Sequence, residues 1–260
     1  LNQSVRDAVD AFGERAAFSS FGTELTFNDT ERLSRAFGAF LQQRLGVGKG
    51  DRVAMMAPNT LGFAVGMFGI IRAGGVQVNV NPMYSPRELR HQLQDADVET
   101  IVIFSGSTPV LAEVIDDTPV KNVIAFGLDD LVGRNLPSPP VDPRLADATG
   151  FMDALAQGSE LDLNAPDMAH DDLVLLQYTV CTTGLSKGAM LTHLGLCHSA
   201  MHYEVAMRLT SADRTIAAVP FTHVTGLVGL ILAMVRAAAT LVVLPEFKAP
   251  AFLDLAARER

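Results

Sequence analysis

The chain has 260 residues, of which 48% are hydrophobic and 19% are charged, so it is not disordered and can bury a substantial core. Its formal net charge of −9 argues against general nucleic-acid binding. The two cysteines, Cys181 and Cys197, fit a reducing compartment, and we expect a cytoplasmic protein. The longest apolar run, Leu227–Val235, is much shorter than the roughly 20 residues of a membrane helix, so we expect no transmembrane segment.

Short apolar runs alternate with helical patterns along the chain. The predicted strands cover residues 52–57, 76–80, 100–104, 120–126, 172–179, 215–220 and 240–245. The predicted helices cover residues 28–45, 59–75, 86–96, 194–208 and 225–238, with a last one from 249. Ser85-Pro86-Arg87-Glu88 is a helix start with a cap residue and Pro at the first position, and Gly74–Gly75 is a helix stop.

This alternation predicts an α/β fold with parallel sheets flanked by helices in two lobes. Between residues 136 and 147 the composition shifts to Pro, Ser and Asp, which indicates a long surface connection. We therefore expect residues 1–165 to form a first α/β lobe and residues 166–260 to begin a second.

The stretch from Gln177 to His193, QYTVCTTGLSKGAMLTH, follows an apolar strand pattern and precedes a helical one. In a strand–loop–helix arrangement, loop N–H groups and the positive end of the helix converge on an anion. The hydroxyls of Thr182 and Thr183 and the charge of Lys187 suit phosphate. The stretch does not match the common nucleotide P-loop, G-x-x-x-x-G-K-[ST].

The same letters also fit a serine hydrolase. Residues 184–188, GLSKG, match the G-x-S-x-G pattern in which Ser186 would be the nucleophile, and Asp213 and His223 follow in the order of a triad. About six residues separate Ser186 from the strand, whereas that motif normally follows its strand directly. An ordinary glycine-containing loop is a further reading of the residues alone.

Residues 178–193 resemble the phosphate-binding signature of the AMP-forming acyl-CoA synthetases and ligases, Y-T-S-G-T-T-G-x-P-K-G-V followed by L-T-H. Three more segments are similar to motifs of that family in the same order: 46–60, 69–93 and 219–229. Residues 69–93 are similar to fatty-acid CoA ligases in particular. The resemblance covers the chain from about Asn28 to its end.

This resemblance implies that a carboxylic acid, expected to be a fatty acid, is activated by Mg-ATP to an acyl-adenylate and passed to coenzyme A. It implies ATP, Mg²⁺ and CoA as cofactors or co-substrates, and it is compatible with a homodimer. His223 and Lys187 would be catalytic, with His223 and Gly226 beside the carboxylate. The phosphate loop would consist of Thr179, Val180, Cys181, Thr182, Thr183, Gly184 and Lys187.

Three loop residues depart from the family pattern. Val180 stands in place of Ser, Cys181 in place of Gly and Ser186 in place of Pro. These departures keep open a non-catalytic homologue that acts as a binding module. Family members are roughly twice as long and carry their Mg-binding Glu and a catalytic Lys further downstream, so we expect this chain to resemble an N-terminal fragment that makes no acyl-adenylate alone. The pair His198 and His202 lacks the pattern of a metal site, and we predict no metal ligands.

Overall fold

The computed structural model describes residues 2–179 and 186–259, without the side chains of Asn2 and Ser4. Its helices are α1 (Asn2–Phe12), α2 (Phe27–Leu45), α3 (Leu61–Ala73), α4 (Pro86–Asp95), α5 (Thr108–Ala112), α6 (Phe151–Ser159), α7 (His193–Met207), α8 (Ala233–Arg236) and α9 (Ala249–Arg258). A π-helix, Thr225–Leu232, leads directly into α8. Its strands are β1 (Ala16–Ser20), β2 (Thr23–Thr26), β3 (Arg52–Met56), β4 (Val76–Val80), β5 (Thr100–Phe104), β6 (Asn122–Phe126), β7 (Thr149–Gly150), β8 (Leu173–Thr179), β9 (Lys187–Thr192), β10 (Arg214–Ala217) and β11 (Thr240–Val243).

The larger sheet has the strand order β7-β6-β5-β3-β4-β8-β9 among the described residues. Its strands run parallel except β9, which is antiparallel to β8. The smaller sheet has the order β10-β11-β1-β2, with β2 antiparallel to β1. The predicted α/β class with parallel sheets and flanking helices is confirmed.

Strand pairing crosses the expected division of the chain between residues 165 and 166, and the two lobes stay a prediction. β8 and β9 come from the predicted second lobe but extend the larger sheet beside β4. β1 and β2 come from the predicted first lobe but complete the smaller sheet beside β11. The physical reason is that strand pairing follows edge complementarity rather than chain order, and the sequence carries no signal for which edge a strand will join.

Helix ends lie where local chemistry predicts them. Thr26 and Asp29 form a reciprocal capping box at the start of α2. Ser85 and Glu88 do the same before Pro86 at the start of α4. α3 stops at Gly74, whose φ of 87° is accessible to glycine at no steric cost.

Alternating residues of the larger sheet serve two apolar layers. Val53 and Met55 of β3 belong to the core formed with α2, α3 and α6, while Ala54 and Met56 belong to the core beneath α4. Both faces of the sheet are therefore covered, which explains the continuous apolar runs of its central strands. Among the described residues, none of the helices combines the length and apolarity needed to cross a membrane.

Candidate active site

The strands β8 and β9 hold the two ends of the predicted phosphate loop. Thr179, the last residue of β8, lies directly opposite Lys187, the first residue of β9. The Thr179 hydroxyl donates a long hydrogen bond of 3.5 Å to the Lys187 carbonyl, and both side chains are exposed. The predicted loop residues Val180, Cys181, Thr182, Thr183 and Gly184 lie outside the described residues.

The segment after the predicted phosphate loop is a strand, whereas the sequence pattern predicted a strand–loop–helix arrangement. β9 runs back along β8 until Thr192 lies opposite Leu173. Only then does α7 begin, with the Thr192 hydroxyl accepting from the Gly195 N–H at 3.2 Å. The N-terminus of α7 is therefore at the far end of the hairpin. Any anion at the loop depends on loop N–H groups, hydroxyls and Lys187 rather than on a helix end.

The environment of Ser186 lacks the features of a hydrolase elbow. That motif needs a strand–turn–helix, whereas Ser186 directly precedes β9. The Asp213 carboxylate accepts from the N–H and the hydroxyl of Thr210, at 2.7 and 2.8 Å. Nδ1 of His223 accepts from the Thr225 N–H. Among the described residues, no hydrogen bond joins Ser186, His223 and Asp213.

His223 lies in the turn between β10 and the π-helix. Its N–H donates to the Pro220 carbonyl at 3.1 Å, and its carbonyl accepts from the Leu227 N–H at 3.0 Å. Its Nδ1 accepts from the Thr225 N–H at 3.2 Å, so the neutral ring carries its proton on Nε2. The ring is exposed and its Nε2–H is a donor suited to a carboxylate or phosphate oxygen.

Gly226 is required by packing at the start of the π-helix. A Cβ at this position would lie 2.1 Å from the Pro220 carbonyl oxygen, so any other residue would push the helix away from the turn. The helix is wound more loosely than an α-helix, since the Ala233 N–H reaches the Val228 carbonyl five residues back. Such π-helical turns occur frequently at functional sites.

Two side chains that the sequence analysis did not single out hold the His223 turn against the larger sheet. Asn59, between β3 and α3, donates to the Ala217 and Val219 carbonyls at 3.3 and 3.0 Å and accepts from the Phe221 N–H at 2.7 Å. Gln177 of β8 donates to the Thr222 carbonyl at 3.0 Å. Nothing local in the sequence marks either residue, because both contacts join distant segments.

A cleft of about 550 Å³ opens beside the turn. It is lined by residues that directly follow β3, β4 and β11, together with Pro220 and Thr222. It therefore lies outside the carboxyl ends of parallel strands from both sheets, where ligands of α/β proteins bind. Asn81 and Ser107 supply polar groups, while Met83, Phe104 and Phe247 make one side apolar.

Two other residues of the signature are structural. Tyr178 is buried and its hydroxyl donates to Asp95; burial, followed by this carboxylate, raises the pKa of Tyr178 well above its usual range. His193 is also buried, its Nε2 has no hydrogen-bond partner among the described residues, and burial lowers its pKa to about 4. Neither side chain is available to a ligand at the loop.

The described part of the chain offers no ligand set for the implied Mg²⁺. Nowhere in residues 2–179 and 186–259 do three or more His, Cys, Asp or Glu side chains come together in a way that could hold a metal ion. His198 and His202 are both exposed on α7 and belong to no such group.

Comparison with known proteins gives one family. A family model described as "AMP-binding enzyme" matches residues 5–260. A long-chain-fatty-acid–CoA ligase of Escherichia coli O6:H1 is 43% identical over 197 residues, which cover 72% of this chain and 35% of that protein. A long-chain-fatty-acid–CoA ligase of Bacillus subtilis (strain 168) is 30% identical over 264 residues, which cover 95% of this chain and 46% of that protein.

The solved structures agree with the fold. A putative long-chain-fatty-acid CoA ligase from Rhodopseudomonas palustris superposes with a TM-score of 0.83 at 26% sequence identity. The match covers 98% of this chain and 60% of that chain. This chain spans between about a third and a half of the length of the two curated relatives.

Proposed function

Because this chain belongs to the AMP-binding enzyme family, we propose that it forms part of an acid–thiol ligase that activates fatty acids with ATP and transfers them to coenzyme A. The similar proteins named as long-chain-fatty-acid–CoA ligases support this substrate class. The observation that carries the proposal is the pairing of Thr179 with Lys187 across the hairpin that bears the phosphate signature. The His223 turn is tied to the same strand through Gln177.

The proposed reaction has two displacements. In the first, a carboxylate oxygen attacks the α-phosphorus of ATP, the bond to pyrophosphate breaks and the acyl-adenylate forms. In the second, the sulfur of CoA attacks the acyl carbon, the thiol proton passes to solvent and AMP leaves. Each step gathers negative charge on phosphate oxygens, so fixed positive charge and N–H donors lower its barrier.

The residues of this chain take separate roles in that scheme. Lys187 is exposed at the loop end, where its flexible ammonium group can follow the β- and γ-phosphates as pyrophosphate departs. Thr179 offers a hydroxyl beside it, since its bond to the Lys187 carbonyl is long. The Nε2–H of His223 orients the carboxylate or an α-phosphate oxygen. Mg²⁺ would neutralise phosphate charge when bound, and the family resemblance assigns its ligand to a later part of the family's length.

Lys187→Ala tests this proposal in the complete polypeptide that carries the chain. The measurement is fatty-acid-dependent exchange of pyrophosphate into ATP. Loss of one charged donor to the phosphates predicts a fall in exchange rate of about 10²-fold. Lys121→Ala is the matched control, because Lys121 is an exposed lysine that directly precedes β6 and pairs with Glu99. Equal rates in the two variants would contradict the role of Lys187.

Two alternatives, and a weakened form of the proposed ligase, predict different results. A serine hydrolase predicts that a fluorophosphonate labels Ser186, and the label is lost in Ser186→Ala. A non-catalytic binding module predicts no ATP binding, even after Val180→Ser and Cys181→Gly restore the family pattern. A weakened ligase predicts ATP binding that improves with that pair of substitutions.

The remaining expectations concern the isolated chain and its assembly. We expect the 260 residues alone to make no acyl-adenylate, and carboxylate-dependent exchange by the purified chain would contradict this. The homodimer and the cytoplasmic location stay predictions. Sedimentation of the complete polypeptide and microscopy of a tagged copy would test them.

A further inference from the structure

We propose that Gln177 is a positioning residue that fixes the His223 turn relative to Thr179 and Lys187, the residues that flank the predicted phosphate loop, so that carboxylate and triphosphate meet in line. This inference rests on the proposed ligase function. It assigns to the half-buried amide of Gln177 a task that neither the phosphate signature nor the motif around His223 contains.

A continuous line of side-chain amides runs through the larger sheet to the turn. Gln77 Nε2 donates to Asn79 Oδ1 at 2.7 Å, and Asn79 Nδ2 donates to Gln177 Oε1 at 2.9 Å. Gln177 Nε2 then donates to the Thr222 carbonyl at 3.0 Å. Asn79 and Gln177 lie directly opposite each other on the parallel strands β4 and β8. The amide of Gln177 is thus held at its oxygen while its nitrogen reaches the turn.

These amides lower the stability of a sheet whose other central residues are mostly apolar. Gln77 and Asn79 are buried, and the Oε1 atoms of Gln77 and Gln92 have no hydrogen-bond partner among the described residues. Buried amides destabilise a fold unless all their groups are hydrogen-bonded, and apolar side chains at these positions would avoid the cost. Stability alone therefore does not account for the amides, and the line ends at the contact of Gln177 with the turn.

The position of Gln177 on β8 links the Thr222 contact to the phosphate-loop end of that strand. Gln177 is two residues before Thr179 on the same face of β8, and Thr222 directly precedes His223. One side chain therefore joins the strand that enters the phosphate loop to the residue before the proposed carboxylate-orienting histidine. Asn59 holds the other side of the turn through Val219 and Phe221. With both contacts made, the turn has little freedom to move relative to Thr179.

The reaction depends on the distance between the His223 turn and Thr179, because the carboxylate must approach the α-phosphorus of ATP in line. A misplacement of about 1 Å can cost roughly 10²-fold in rate. Loss of the Gln177 contact frees the Thr222 carbonyl and lets His223 shift, while Thr179 and Lys187 stay paired across the hairpin. The expected signature is a loss in kcat of adenylation without a loss in ATP binding.

Gln177→Met tests this in the complete polypeptide, with Gln77→Met as the matched control. Methionine has a similar size and no amide, and Gln77 contacts Asn79 without a hydrogen bond to the turn among the described residues. Exchange rates are expressed per active molecule, counted by the burst of acyl-adenylate. We expect Gln177→Met to lower kcat by roughly 10- to 100-fold, with KM for ATP within about twofold, and Gln77→Met to change kcat by less than about threefold.

A second readout separates positioning from general destabilisation. Amide hydrogen exchange should speed up at His223, Thr225 and Leu227 in Gln177→Met, because these N–H groups close the turn, and not in Gln77→Met. Equal rates of amide hydrogen exchange in the two variants, or equal kcat per active molecule, overturn the inference.

If the wild-type polypeptide itself shows no fatty-acid-dependent exchange of pyrophosphate into ATP, the proposed function fails, and the positioning role fails with it.

Gln177→Glu gives a readout that a purely structural role would not produce. An ionised carboxylate beside the Thr222 carbonyl repels it, whereas the protonated acid can donate as the amide did. The ratio of variant to wild-type kcat should therefore rise as the pH falls. Lys187 and His223 are present in both proteins and cancel in the ratio. A ratio that does not change between about pH 5 and about pH 8 contradicts the proposal.

Discussion

Two apolar helices of this molecule differ in what surrounds them. All thirteen residues of α3 are buried, between α2 and the larger sheet. In α7 only His193, Leu196 and Ala200 of fifteen residues are buried, and Val205 and Met207 are each more than two-thirds exposed. The sequence of α3 is the more apolar, but α7 also carries large apolar side chains, including Leu194, Met201 and Val205. The comparison teaches that apolar side chains in a helix do not by themselves determine how much of that helix is buried within these 260 residues.

The largest effect we expect is from Val65→Glu in α3. Val65 is fully buried, and an unpaired carboxylate placed there must either lose its hydration or take up a proton. We expect a loss of more than about 4 kcal/mol in the free energy of unfolding, enough to unfold a marginally stable protein. Urea unfolding followed by circular dichroism measures this. A folded variant with a loss below about 1 kcal/mol would mean that α3 is not enclosed as described.

An intermediate effect should come from His193 at the start of α7. Burial lowers its pKa from the usual 6.5 to about 4 in the folded chain. The unfolded chain therefore takes up the proton first, so stability is full above about pH 6.5 and falls as the pH drops towards 4. The loss attributable to His193 should be up to about 3.5 kcal/mol, because a difference of one pKa unit corresponds to about 1.4 kcal/mol.

The test compares urea unfolding at several pH values for the wild type, His193→Gln and His198→Gln. His198 lies on the same helix but is exposed, so its removal should leave the slope of stability against pH unchanged. The slope between about pH 6.5 and about pH 4 should be smaller in His193→Gln. If both variants keep the wild-type slope, His193 is not buried in its neutral form.

The smallest effect should come from Val205→Glu, the same substitution made on the exposed side of α7. Val205 is 69% exposed, and Glu is a better helix former than Val. We expect a change in unfolding free energy within about ±0.5 kcal/mol. A loss in this chain close to that of Val65→Glu would remove the contrast between the two helices. A loss seen only in the complete polypeptide would show that α7 is covered there.

Much of the fold could be predicted from local signals. β4 and β5 have the bounds that their apolar runs indicate, and α2, α3 and α4 begin and end at their cap residues. The sequence did not reveal β9, since KGAMLT is short, half-exposed and without a clear alternation of polar and apolar residues. Its pairing with β8 is decided by tertiary contact.

The candidate site was predictable in part for a similar reason. Thr179, Lys187 and His223 could be located because a contiguous motif marks each of them. Asn59 and Gln177 act through hydrogen bonds to backbone carbonyls 45 or more positions away. Every residue has a backbone carbonyl, so the sequence does not show which one accepts these bonds. The helix dipole expected behind Lys187 is absent there because β9 intervenes.

The hairpin that carries the phosphate signature constrains how this region can vary. Both ends of the segment from 180 to 186 are pinned by the pairing of Thr179 with Lys187. One residue added within β9 would shift its pairing with β8 and turn every later side chain of the strand to the opposite face. Single-residue insertions within β9 are therefore incompatible with the register that this hairpin adopts.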